Sequence, residues 1–263
     1  LFDVRLDARG MPISLQGVGF GHAQWGNPLH QLFDRLCIAS HLRHLRHRRA
    51  VRQLQVPATE ICRKMGLQPT FDAVFRQTCV LALLQEHIGA FTRRDGLRVL
   101  LIGDGFGVFA SLFKRVYPDA QMTLVDLGKT LLFQTVNCQR AHPDLQHLHA
   151  ESVGAAEADF VYCPAEALES LEGPFDIAVN VCSMQEMSSE VIAGYFGLLR
   201  EHLRSEHLFY CCNRERNVLR GGEVSEFLAY PWESGDSFLA DELCPWQRYF
   251  FHWTRTAHGL EVL

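Results

Sequence analysis

Apolar and polar positions change period twice along this chain. From residue 29 to 53, leucines and an isoleucine recur at helical spacing in LHQLFDRLCIASHLRHLRHRRAVRQ, and that 3.6-residue period predicts an amphipathic helix. A second helix is predicted over residues 58–65 and a third from 71 to about 91. Residues 1 to about 28 lack any such period. There GVGFGHAQWGNP holds four glycines and ends in Pro28, which reads as irregular chain.

Beyond residue 96 the pattern alternates. LRVLLIG is a continuous apolar strand, VFASLFKRVY a helix ended by Pro118, and QMTLVDL the next strand, followed by a helix over about 128–140. ADFVYCP and FDIAVNVCS are two more strands, SEVIAGYFGLLREHLR a helix and EHLFYCCN a further strand. Strands alternating with helices of this length predict an α/β fold, a parallel sheet covered on both faces. The expected division is an irregular and helical cap over 1–92 and a core over 93–263. The aromatic tail from Val218 is expected to supply a substrate-facing loop and the last strands.

Composition narrows the function classes. With 263 residues, 48% hydrophobic and 21% charged, the chain can bury one large α/β core. A net charge of −5 gives the whole protein no attraction for nucleic acid or for an anionic membrane. Nine cysteines occur without a CxxC, so zinc-site spacing is absent and reduced thiols are expected. No apolar run reaches the ~18 residues of a membrane span and no signal peptide is visible, so the expected location is cytoplasmic.

The chemistry concentrates where the first strand ends, in LLIGDGFGVFA. Gly103, Gly105 and Gly107 let the backbone approach a ligand closely, because no Cβ intervenes. A pyridine-dinucleotide fingerprint needs glycine at the sixth position, which here is Val108; that departure opposes a nicotinamide oxidoreductase. Asp104 inside the loop would repel a pyrophosphate and tolerate a cationic group. Asp126 ends the second strand, where a carboxylate can accept hydrogen bonds from both hydroxyls of a ribose. Its alternative role is a helix cap, since Gly128 and Lys129 follow.

VLLIGDGFG and Asp126 together resemble motif I and the ribose-binding acid of class I S-adenosylmethionine-dependent methyltransferases, across about residues 95–215. More narrowly, NVCSMQEMSSEVIAGYFGLLR with YCCNRE and YPW is similar to a sugar O-methyltransferase family associated with bacterial polysaccharides and glycosylated natural products. The resemblance implies a Rossmann-like core with an N-terminal helical cap. It also implies S-adenosylmethionine as cofactor, with Gly103, Asp104, Gly105 and Gly107 around its methionine part. Asp126 and Leu127 would then lie at the ribose, and the segment from Tyr162 to Glu166 would flank the adenine.

Parallel sheets place ligands beyond the carboxyl ends of their strands. The fourth strand delivers Asn180, Ser183, Gln185 and Glu186 there, with Asn180 and Ser183 assigned to the cofactor side; Ser183 and Gln185 can equally cap the next helix. Methyl transfer asks the protein to align an acceptor oxygen and to take its proton. The candidates for that work are Glu186, His252, Glu215 and Asp236, with His22 as an outsider. Mg²⁺ is a further cofactor candidate, although the carboxylate spacing shows no metal pattern. Tyr230, Trp232, Trp246 and Tyr249 offer flat faces for a sugar, or else a plain hydrophobic cap. The arginines of HLRHLRHRRAVRQ read first as a solvated helix face and second as a contact to an anionic substrate. The expected partner is a small-molecule or glycosylated acceptor, with no nucleic acid; a homo-oligomer is a further candidate. A non-sugar acceptor, or a cofactor-binding fold that transfers no methyl, are the alternatives.

Overall fold

The first strand of the alternating region, β3 (Arg98–Ile102), organises the molecule. Its Val99, Leu100, Leu101 and Ile102 are all buried, as expected of a strand covered on both faces. Successive side chains point to opposite sides. Val99 and Leu101 enter one hydrophobic cluster, and Leu100 and Ile102 another. The structure is a computed structural model that describes residues 3–6, 12–16, 28–89, 96–244 and 256–262.

β3 sits between β4 (Gln121–Asp126) and β7 (Phe175–Val181), parallel to both. Beyond β4 lie β6 (Phe160–Pro164) and the edge strand β5 (His147–His149); beyond β7 lies β8 (Leu203–Arg214). The tail adds β11 (Ser237–Leu243) and β12 (Thr256–Val262), with β12 antiparallel to β8. The order β11-β12-β8-β7-β3-β4-β6-β5 is that of the class I methyltransferase fold. Strand order reverses on either side of β3, and such a switch point opens a crevice at the carboxyl ends of the strands.

Four helices cover the face that holds Val99 and Leu101: α2 (Arg48–Met65), α3 (Gln77–Ile88), α4 (Val108–Val116) and α5 (Gly128–Ala141). Residues of α2 and α3 belong to the same cluster as the sheet, so the N-terminal helices share the core. The opposite face is covered by α6 (Ser189–His202) together with Phe227 and Tyr230.

Several boundaries differ from the sequence reading. The helix break falls at residues 45–47, between α1 (Pro28–His44) and α2, and α2 runs straight through Pro57. Proline inside a helix costs roughly 3 kcal/mol. Burial of Val51, Leu54, Ala58, Ile61, Cys62 and Met65 on one stripe offsets it. Phe71–Arg76 forms a π-helical turn, started by Thr70, whose Oγ1 accepts from Ala73 N–H at 3.2 Å. β1 (Asp3–Leu6) and β2 (Pro12–Gln16) pair as a hairpin within the stretch read as irregular. A second hairpin joins β9 (Arg216–Val218) and β10 (Val224–Glu226). All nine cysteines are free thiols. Among the described residues no helix is long and apolar enough to cross a membrane.

Candidate functional site

The chain leaves β3 through three left-handed glycines, Gly103, Gly105 and Gly107, at φ of +78°, +64° and +77°. Side chains rarely adopt this region. The three have different surroundings. A Cβ at Gly103 would overlap the Ser183 side chain, and one at Gly107 would lie 2.6 Å from Cys138 Sγ. Gly107 therefore brings α4 close to α5 and is not on the cavity wall, which corrects its assignment to the cofactor. A Cβ at Gly105 would meet nothing within 4 Å. It would stand in open space on the cavity wall.

That cavity has a volume of about 1020 Å³, at the upper end of the range for small-molecule sites. Its floor is the carboxyl edge of β3, β4 and β7 with Gly103, Asp104 and Gly105. Leu127, 62% exposed, Ala165 and Leu168 also line the cavity, as do Val191 and Tyr195 from α6. Thr70, Ala73, Arg76 and Gln77 close the N-terminal side.

Asp104 has a structural duty of its own. Phe109 N–H donates to its Oδ1 at 3.2 Å and Ala110 N–H to its Oδ2 at 2.8 Å, so the carboxylate caps the start of α4. Burial pushes its pKa up to about 7, against the pull of those two amides and of Arg76. Asp126 lines the cavity and accepts from Leu127 N–H at 2.8 Å and Gln134 Nε2 at 2.6 Å. Burial raises its pKa, while these hydrogen bonds oppose the rise.

The polar residues at and after the end of β7 divide into wall and foundation. Asn180 is fully buried. Its Nδ2 donates to Ile102 O at 2.9 Å and also reaches Ser183 Oγ, while its Oδ1 accepts from Asn213 Nδ2 at 2.8 Å. It therefore does not touch the cavity, contrary to the expectation from sequence. Gln185 is buried in the same network: its N–H donates to Asn213 Oδ1 at 3.0 Å and its Oε1 accepts from Arg214 N–H at 2.9 Å. Ser183 lines the cavity and donates to Ile102 O at 2.9 Å. Glu186, exposed and on the wall, is the carboxylate that this network holds at the carboxyl edge.

Other candidates lie elsewhere. Tyr162 is buried under the sheet with its hydroxyl 2.9 Å from His147 Nδ1, because alternation points it away from the cavity; Glu166 in the same segment does line the wall. Asp236 is bound by two guanidinium nitrogens of Arg200 at 3.0 Å each, and its side chain is only 2% exposed. It ties the tail to α6. Glu215 sits between β8 and β9, off the cavity wall, with its carbonyl accepting from Phe227 N–H at 3.0 Å. Tyr230 and Trp232 pack with Phe196, Phe209 and Phe227, so both rings of YPW join the hydrophobic cluster beside α6. His22, Trp246, Tyr249 and His252 lie outside the described residues.

Sequence reasoning missed Arg76, Cys182 and Tyr195. Cys182 follows β7 at φ +59° and its sulfur lies 3.8 Å from the Arg76 guanidinium. No motif marks either residue. Tyr195 was open to inference, since Val191, Gly194 and Tyr195 fall on one helical stripe.

No protein-family profile matches the chain, and no curated protein is similar to it in sequence. Among solved structures, Thermoplasma acidophilum 1320 is similar over 81% of this chain and 97% of that one, at 11% identity and a TM-score of 0.49. Magnesium protoporphyrin IX methyltransferase from Synechocystis PCC 6803, with bound SAH, matches 72% of this chain and 84% of that one, at 12% identity and a TM-score of 0.45. PKMT2 from Rickettsia typhi matches 46% of this chain at 21% identity and a TM-score of 0.34; the match spans about a fifth of that protein, 21% of its length. At these scores the likeness carries no functional inference, which rests on the cavity.

Proposed function

We propose that the chain is an S-adenosylmethionine-dependent O-methyltransferase acting on a hydroxyl of a sugar or glycosylated natural product. The observation that carries this reading is the cavity at the carboxyl edge, where Gly105 leaves a Cβ-sized space and hydrogen-bonds through its backbone to Asp126 on the next strand's end. Its charge supports the same reading. Asp104, Asp126, Glu166 and Glu186 line it against one guanidinium, Arg76. Such a wall opposes a pyrophosphate and suits a cationic sulfonium.

Asp126 would accept the ribose hydroxyls, the apolar side chains Leu127 and Leu168 would flank the adenine, and Arg76 would hold the α-carboxylate. When bound, the cofactor supplies an electrophilic methyl carbon. Glu186 would orient the acceptor hydroxyl and take its proton, and the apolar walls would exclude water. Among the described residues no three His, Cys, Asp or Glu side chains converge as a metal site.

The apolar residues Ala73, Phe106, Phe109, Val181 and Met187 on the same wall favour a second reading, in which the acceptor hydroxyl belongs to an apolar non-sugar metabolite. Incubation with labelled cofactor and paired glycosides and aglycones separates the two by which member of each pair becomes labelled. Label on no acceptor across the panel would favour the fold without transfer. With a working acceptor, Glu186→Gln should lower kcat by about 10²–10⁴-fold and leave S-adenosylhomocysteine affinity intact. Near-normal turnover in this variant would remove Glu186 from the chemistry.

A further inference from the structure

The helical run rich in arginine has no place in the methyl-transfer site. Residues 28–65 carry eight arginine or lysine side chains against Asp34 and Glu60, in a chain whose net charge is −5. The negative excess thus lies entirely elsewhere, and the whole-protein charge hides a strongly basic N-terminal pair of helices. Arg35, Arg43, Arg46, Arg48, Arg49 and Arg52 are all exposed.

α1 is also apolar on two sides. Leu42 and Leu45, at and just beyond its end, are buried in the core. Leu32 and Leu36, one helical turn apart, are 53% and 57% exposed. They share that outer face with Arg35, Ala39 and Arg43. A helix on a protein surface ordinarily keeps its apolar residues to the core side. Here two exposed leucines are interleaved with guanidinium groups on one face, and a lipid interface can take both, the leucines at the acyl boundary and the guanidinium heads at the phosphates. α1 packs on α2 and on the turn Phe71–Arg76, and that turn gives Ala73 and Arg76 to the cavity wall.

We propose that the outer faces of α1 and the first turns of α2 dock on an anionic lipid surface, with Leu32 and Leu36 entering the acyl boundary and the arginines meeting lipid phosphates. A nucleic acid would satisfy the arginines and leave the leucines in water; a lipid surface satisfies both. This inference does not depend on the methyl-transfer reading, because it needs neither cofactor nor acceptor.

The test is co-sedimentation of the full chain with vesicles of phosphatidylcholine alone or mixed with phosphatidylglycerol. The chain should partition at least about 10-fold more strongly onto the anionic vesicles. Replacing Arg43, Arg49 and Arg52 with Gln should reduce that binding by about 5-fold per residue removed. Leu32→Asn with Leu36→Asn should abolish the fraction that survives high salt while the melting temperature is retained, since both side chains are exposed. Wild-type chain left in the supernatant with anionic vesicles would overturn the proposal. So would undiminished vesicle binding by the leucine variant, and heparin or RNA binding in the absence of vesicle binding would assign the face to a different polyanion.

Discussion

Substituting alanine at Gly105 and at Gly103 separates a ligand cradle from a packing contact. At Gly105 the backbone stands at φ +64°. Forcing a side chain into this region costs about 1–2 kcal/mol. No atom lies within 4 Å of the added methyl, so that strain is the whole effect on folding. For a chain of this size it corresponds to a fall of roughly 2–8 °C in Tm. The methyl instead fills space on the cavity wall that a bound cofactor needs, and S-adenosylhomocysteine affinity should fall at least ~10-fold, about 1.4 kcal/mol. At Gly103, φ is +78° and the methyl would overlap Ser183, whose hydroxyl is fixed on Ile102 O at 2.9 Å. Overpacking adds about 1–3 kcal/mol to the same strain, so Gly103→Ala should melt lower than Gly105→Ala. Adding Ser183→Gly should recover part of that loss in a double-mutant cycle. Thermal melts and calorimetric titration with S-adenosylhomocysteine supply both numbers. A folded Gly105→Ala protein with wild-type affinity would refute the cradle, and a Gly103→Ala protein indifferent to Ser183→Gly would refute the contact.

Arg76→Met should weaken S-adenosylhomocysteine by about 10–150-fold, the worth of a charged hydrogen bond, and leave 5′-methylthioadenosine, which lacks the carboxylate, unaffected; equal losses would remove Arg76 from that role. Acid should destabilise the fold through His142 and His147, which burial holds below their ordinary pKa, His142 down to about 4. The unfolded chain protonates near pH 6.5, so between there and about pH 4 it binds more protons than the native state. Stability therefore drops as pH falls through that window, by at most about 3 kcal/mol for His142. Asp104, raised to about 7, works oppositely, losing native stability as pH rises from 3.8 to 7. Urea midpoints of wild type and His142→Asn at pH 7 and 4.5 isolate the histidine, and equal slopes would contradict the assignment.

The parallel core was legible because each strand is a short apolar run bounded by turn residues, and because burial on both faces removes alternation from that run. Glycine spacing also located the loop correctly. Its division of labour was not legible, since only the surroundings show that Gly105 is open while Gly107 meets Cys138. Tyr162 and Asn180 went astray for one reason: a residue's position near a strand's end does not tell which side of the sheet its side chain enters, or which neighbour claims its polar atoms. Asp236 was invisible as a structural acid because its partner Arg200 lies on another element. The path of α2 through Pro57 shows burial overriding a local breaker. Arg76 reaches the cavity through a π-helical turn that no periodicity announces.

The central claim is that the glycine loop and Asp126 bind S-adenosylmethionine and not a dinucleotide. Calorimetric titration of the purified chain with S-adenosylhomocysteine and with NAD tests it most directly, alongside Asp126→Ala. Binding of S-adenosylhomocysteine without NAD is the expected result, with the variant weakened by about 1–3 kcal/mol through lost charge-assisted hydrogen bonds. Micromolar binding of NAD with no response to S-adenosylhomocysteine would contradict it.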